Sequence, residues 1–153
     1  MTGKNVSLST FENGFSGGLS LRGIPLAMSH PGKVFYVSDN GLAAFPNRKT
    51  PSNGNKGTFT DPFATIDYAI GQCTADRGDI IFVLPGHTET ISAAAGIALD
   101  VAGVAIIGLG RGSLRPTLNF TATASTMTMT AANCMIHNLL FTGGIDAVVS
   151  PLV

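Results

Sequence analysis

At 153 residues the chain is one domain by length, long enough to bury a core without disulfide or metal staples. Its 12% charged residues, about half the usual share, and its formal net charge of zero argue against a well-hydrated free surface and for a protein packed against neighbours. No basic cluster is dense enough for nucleic acid, no apolar run approaches the ~18 residues of a membrane span, and "MTGKNVSLSTFENG" has no signal-peptide core, so the expectation is a soluble protein made in a reducing cytoplasm.

Residues 1–32 show neither helical nor clean strand periodicity, yet they keep Phe11, Phe15, Leu19, Leu21, Ile24, Leu26 and Met28 among many glycines. A solvated tail would lack those side chains. The segment therefore reads as an extended arm that orders against its own domain or a neighbouring subunit, with Phe11, Phe15, Leu19, Arg22 and Ile24 as its assembly contacts. The domain proper is expected from residue 33 to 153.

The charge is unevenly spread. Up to residue 60, Lys4, Arg22, Lys33, Arg48, Lys49 and Lys56 face only Glu12 and Asp39; from 61 on, three arginines face seven carboxylates, about +4 against −4. Such a basic arm on an acidic body is either a docking strap for an acidic partner or a set of loops that collected Lys and Arg.

"KVFYVS" at 33–38 predicts a strand, rich in β-branched and aromatic residues, and a long polar loop follows over 39–58. Asp61 as N-cap, Pro62 at the first helical position and a stripe of Phe63, Ile66, Ala69, Ile70 and Cys73 predict a helix over 62–73 that covers one end of the core. Asp76 and Asp79 flank the turn that ends it and read as turn residues.

Beyond the turn come short apolar runs: "IIFVLPG", "ETISAAAGIALDV", "VAIIGLG", "TLNF", "STMTMT", "CMIHNLLF" and "AVVSPL". Two of the longer segments share a form and start thirty positions apart, at Val104 and Cys134. No Asn-Gly or Asp-Gly hairpin joins neighbours, so a stack of parallel coils is favoured over a meander. "FTGGIDAVVSPLV" offers no polar terminal cap; the expectation is that more polypeptide or another chain covers that end.

Candidate chemistry is sparse. Glu89, Asp100 and Asp146 fall one per coil, without the paired carboxylates that acid–base hydrolysis needs or the cluster that Ca²⁺ needs. Arg111 and Arg115 read as a solvated turn, His30, His87 and His137 as isolated structural histidines, and Cys73 and Cys134 as buried free thiols. "GLGRG" at 108–112 lacks the third glycine of a dinucleotide fingerprint. No catalytic residue, metal site or cofactor is expected.

Taken together, Val34 to Glu89 ("VFYVS", "NGNKGT", "PFATIDYAI", "GDIIFVLPGHTET") resembles the start of pectate-lyase-like right-handed parallel β-helix proteins. Pro62, Phe63, Thr65 and Ile66 match the start of that family's capping helix; Gly78, Asp79, Ile81, Pro85 and Gly86 match the strand that leads to the first full coil; "VAGVAIIGLGRG" at 101–112 resembles the second coil. The resemblance covers roughly 33–145 and implies an all-β fold, a short right-handed parallel β-helix with an N-terminal capping α-helix and an extended N-terminal arm. The arm "GIPLAMSHPGKVF" ahead of such a start resembles structural proteins of tailed bacteriophages, head-decoration and fibre-like components among them. This implies a non-enzymatic virion protein on the particle surface, a capsid decoration or cement protein, with itself (a homotrimer) and the major capsid protein as partners. The alternative is a carbohydrate-binding or carbohydrate-degrading β-helix.

Overall fold

The computed structural model describes residues 19–21, 24–27, 32–39, 49–145 and 151–153, and the chain divides into two compact units, Met1–Pro31 and Gly32–Val153. In the first unit β1 (Leu19–Leu21) and β2 (Ile24–Ala27) pair antiparallel, with a register shift between Leu19 and Ser20. The arm thus holds a short pair of antiparallel strands, where its sequence carries no strand periodicity; strands this short leave too few alternating positions to read. Leu19 and Ile24 lie on these two strands, whereas Phe11, Phe15 and Arg22 lie outside the described residues.

Among its described residues the second unit is all-β apart from one α-helix and one 3₁₀ turn. Its strands are β3 (Val34–Val37), β4 (Ile80–Val83), β5 (Thr88–Ile91), β6 (Ile97–Leu99), β7 (Ala105–Gly108), β8 (Thr117–Phe120), β9 (Met127–Met129), β10 (Met135–His137) and β11 (Leu140–Gly143). They form three parallel sheets, ordered β10-β7-β4-β3, β11-β8-β5 and β6-β9. From β4 onward the chain visits the three sheets in a fixed order. It then repeats the circuit through β7, β8 and β9, and a third time through β10, β11 and a bridge from Leu152 to Met127. The register Ile80↔Ala105↔Met135 makes the second interval thirty residues, matching the spacing of the two similar segments.

Side chains alternate across each strand, so one set points inward in every circuit. Parallel pairing in register stacks the inward set into columns: Phe35–Ile81–Ile106–Ile136 on the first sheet, Glu89–Leu118–Phe141 and Ile91–Phe120 on the second, Ile97–Met127–Leu152 on the third. Ile81, Ile106, Leu118 and Met127 are fully buried and form the middle of the core. Between β10 and β11 the backbone turns sharply at Asn138 (φ 56°), which splits "CMIHNLLF" into two strands. Asparagine tolerates that left-handed geometry, and its amide donates to the carbonyls of Gly108 (2.8 Å) and Gly110 (3.1 Å) one circuit below.

The helix departs from expectation. α1 spans Ile66–Gly71, not 62–73, and Thr65 is its N-cap, accepting from the Tyr68 amide at 3.4 Å. The physical reason is a competing partner. Phe63 remains extended because its N–H donates to the Tyr36 carbonyl (2.9 Å) and its carbonyl accepts from Ser38 (3.0 Å), forming a bridge to β3. Asp61 is occupied with Lys49 (3.1 Å) and caps nothing. The inward residues are nevertheless those of the expected stripe: Phe63, Ile66, Ala69 and Ile70 are buried.

Candidate functional site

Two outer sheet surfaces have opposite chemistry. On β10-β7-β4-β3 the outward positions form two ladders, Val34–Ile80–Ala105–Met135 and Tyr36–Phe82–Ile107–His137. Seven of these eight side chains are apolar or aromatic and the eighth is His137, and all are half-buried or exposed. Tyr36 meets Phe82 at 5.7 Å and Phe59 edge-on at 5.6 Å, so one end of the face is an aromatic cluster. On β11-β8-β5 the outward positions are Thr88–Thr117–Leu140 and Thr90–Asn119–Thr142. Hydroxyls and an amide keep that second surface hydrated, whereas the first presents a continuous strip with no carboxylate or ammonium group on it.

The ionisable groups converge elsewhere, at the β3 end of the stack. Asp79 is fully buried. Its carboxylate accepts from Arg77 Nε (2.7 Å) and Nη2 (2.6 Å), from the Thr74 amide (2.8 Å) and from the Lys33 amide (2.6 Å). Burial alone would raise its pKa, but the Arg77 and backbone donors outweigh burial and bring it down to about 2. Asp79 is therefore not a turn residue but the anchor of the strand that follows the helix. The same pairing with Asp79 raises the Arg77 pKa.

Glu89 heads an inward column, in register with Leu118 and Phe141, and puts a carboxylate where they put hydrocarbon. It accepts from the Ile66 amide (3.0 Å) at the start of α1 and contacts Nε2 of buried His87 at 3.1 Å. A His–Glu pair can serve general acid–base chemistry, but this one is turned into the interior and spends its carboxylate on the helix. Asp39 accepts from the Thr88 amide (2.7 Å), and Asp67 of α1 accepts from the Ala98 amide (3.0 Å). The edges of β5 and β6 are thereby closed as well.

The remaining candidates stay apart. Asp100 is exposed and Asp146 lies outside the described residues, as does His30; His137 is exposed on β10, Arg111 is exposed and Arg115 half-buried. Among the described residues no group of three or more His, Cys, Asp or Glu side chains converges on one point. Cys73 and Cys134 are free thiols but only half-buried, each donating to a carbonyl, Ala69 and Val101, both at 3.3 Å. Burial, then the Asp79 charge, push the Cys73 thiol up to about 12, so it stays protonated and unreactive near neutrality. The apolar strip was missed in the sequence because apolar residues at both odd and even positions of "KVFYVS" and "DIIFV" read as burial on both sides. That doubled pattern was its signal. No protein-family model, curated protein or solved structure matches the chain.

Proposed function

We propose that the chain is a short right-handed parallel β-helix that serves as a non-enzymatic structural protein of a tailed-phage particle, a capsid decoration or cement protein on the particle surface. The observation that carries this reading is the uncharged, apolar outer surface of the four-stranded sheet. A carbohydrate lyase or hydrolase built on such strands would need carboxylates and a base projecting there from consecutive circuits; Val34, Tyr36, Ile80, Phe82, Ile107 and Met135 occupy those positions instead. A strip of this kind is buried by side-by-side packing of subunits or against a shell. The homotrimer and the major capsid protein as partners follow from the resemblance to phage proteins.

The test is quantitative mass spectrometry of purified particles from the genome that encodes the chain. The proposal expects the protein in a fixed ratio to the shell protein; particles that lack it contradict the proposal.

A second reading, a carbohydrate-binding module, is favoured by the Tyr36, Phe59 and Phe82 cluster, since exposed rings stack on sugar faces. It predicts millimolar or tighter binding on a glycan array that Tyr36→Ala abolishes. The structural reading predicts no such binding and no depolymerisation of pectin, alginate or bacterial surface polysaccharide, with or without Ca²⁺. Turnover lost on changing Asp100 or Asp146 would overturn it.

A further inference from the structure

The bond between Asp61 and Pro62 is surrounded by groups that packing alone does not account for. Asp61 is buried, and its Oδ2 meets the Lys49 ammonium at 3.1 Å. Its Oδ1 is shut off from solvent and has no hydrogen-bond partner among the described residues. A buried carboxylate oxygen without a donor costs stability, so it calls for another explanation. A metal is not that explanation, because among the described residues no group of three or more His, Cys, Asp or Glu side chains converges.

The peptide bond beside this oxygen is held on both sides. The Asp61 carbonyl accepts from the Gly57 N–H at 2.9 Å. The Pro62 carbonyl accepts from the Ser52 N–H (3.2 Å) and from Asn55 Nδ2 (2.9 Å). Gly57 sits at φ +73° with the Phe63 ring where a Cβ would be, so glycine is the residue that brings an N–H to this carbonyl. A donor on a carbonyl oxygen stabilises the negative charge that develops there on attack. Pro62 completes the arrangement. Its nitrogen carries no hydrogen, and on release it becomes a secondary amine that takes up a proton readily.

We infer that the folded chain cleaves itself between Asp61 and Pro62. Oδ1 attacks the carbonyl carbon of its own residue and closes a five-membered ring, and the C–N bond to Pro62 breaks. The Pro62 nitrogen takes its proton from the Lys49 ammonium as it leaves. The products are a cyclic anhydride on Asp61 and a free amino terminus at Pro62. Water then opens the anhydride to the two carboxyl groups of a C-terminal Asp61, and one of their protons restores the Lys49 ammonium. Nucleophile and electrophile share one residue, and well-oriented pairs of this kind reach effective concentrations of roughly 10⁵–10⁸ M. The fold adds the unoccupied oxygen, the Gly57 donor and the proton. The two pieces stay associated, because β3 on one side of the cut pairs with β4 on the other and Phe63 bonds Tyr36. None of this depends on the virion proposal.

Intact-mass spectrometry of the folded 153-residue chain, kept for days near neutral pH with protease inhibitors, tests the inference. The expected result is two fragments, 1–61 and 62–153, whose masses sum to the 15.7 kDa of the chain plus one water. The chain unfolded in guanidinium chloride should form them at least about tenfold more slowly, since it keeps the Asp-Pro bond but loses the Gly57 and Lys49 donors. Lys49→Met, at an exposed side chain, should slow cleavage of the folded chain at least about tenfold. Asp61→Glu, which keeps the charge but must close a larger ring, should slow it by a similar factor. No fragments from the folded chain, equal rates in folded and unfolded chains, or a rate that Lys49→Met leaves unchanged would each overturn the inference.

Discussion

The closed end of the stack, at β3, and its open end, at β10 and β11, are built from the same kind of strand yet solve opposite problems. At the closed end polar groups are drawn inward: Glu89 takes a column position and ties down the helix, and Asp79 collects four donors where no solvent reaches it. At the open end the columns continue as Ile136, Phe141 and Leu152, with no polar side chain among the described residues in the place of Glu89. The difference teaches that termination of a stack of parallel strands is chemistry added to the repeat, not a property of the repeat.

The largest break in this comparison is expected at the closed end. Asp79→Ala strands the Arg77 guanidinium and two backbone amides, and loss of one partner of a buried pair costs about 3–5 kcal/mol. Thermal or urea unfolding measures it, and a loss below about 1 kcal/mol would mean the anchor is ornamental. Phe63→Ala, which removes a buried ring packed 5.7 Å from Phe35 and 5.1 Å from Tyr68, should cost a similar ~3–5 kcal/mol. Gly57→Ala should damage the same contact from the other side: its φ is +73° and an added Cβ would meet the Phe63 ring.

Acid should act on the closed end next. The Asp79 pKa is depressed in the folded state, from an ordinary 3.8 to about 2. Its stabilisation is therefore complete above about pH 4 and drains away as pH falls toward 2, on the order of 2 kcal/mol. Asp79→Asn should flatten that part of the stability–pH curve; an unchanged curve would assign acid sensitivity to other carboxylates.

Truncations along one column sharpen the contrast further. Leu118→Ala, in the middle, should cost about 2–5 kcal/mol, whereas Phe141→Ala, one circuit on, should cost about 1 kcal/mol in the monomer. Equal losses would show that the open end is as well packed as the middle. The smallest effect belongs to Met135→Lys, exposed on the edge strand, which should shift monomer stability by no more than ~0.5 kcal/mol.

The sequence carried the all-β class, the parallel arrangement and the thirty-residue interval, because in-register stacking repeats apolar runs at the length of a circuit. It carried the inward faces of Phe63, Ile66 and Ile70 but not the start of the helix. Local signals at Asp61 and Pro62 lost to hydrogen bonds from β3, more than twenty residues upstream. Asp79 looked like turn punctuation since its four donors arrive from Lys33, Thr74 and Arg77, and only the first is distant enough to need the fold. The antiparallel pairing of β1 with β2 was invisible for want of length. The lateral apolar strip was in plain view as consecutive hydrophobic residues, and it was absorbed into the core since nothing local distinguishes an inner face from an outer one.

Amide hydrogen exchange of the chain tests the closed-and-open account most directly. The account predicts that Ile81, Ile106 and Leu118 exchange only through global unfolding, while amides of β10 and β11 exchange at least a hundredfold faster. Protection that is equal across β4, β7 and β10 would contradict it, because both ends of the stack would then hold their strands equally firmly.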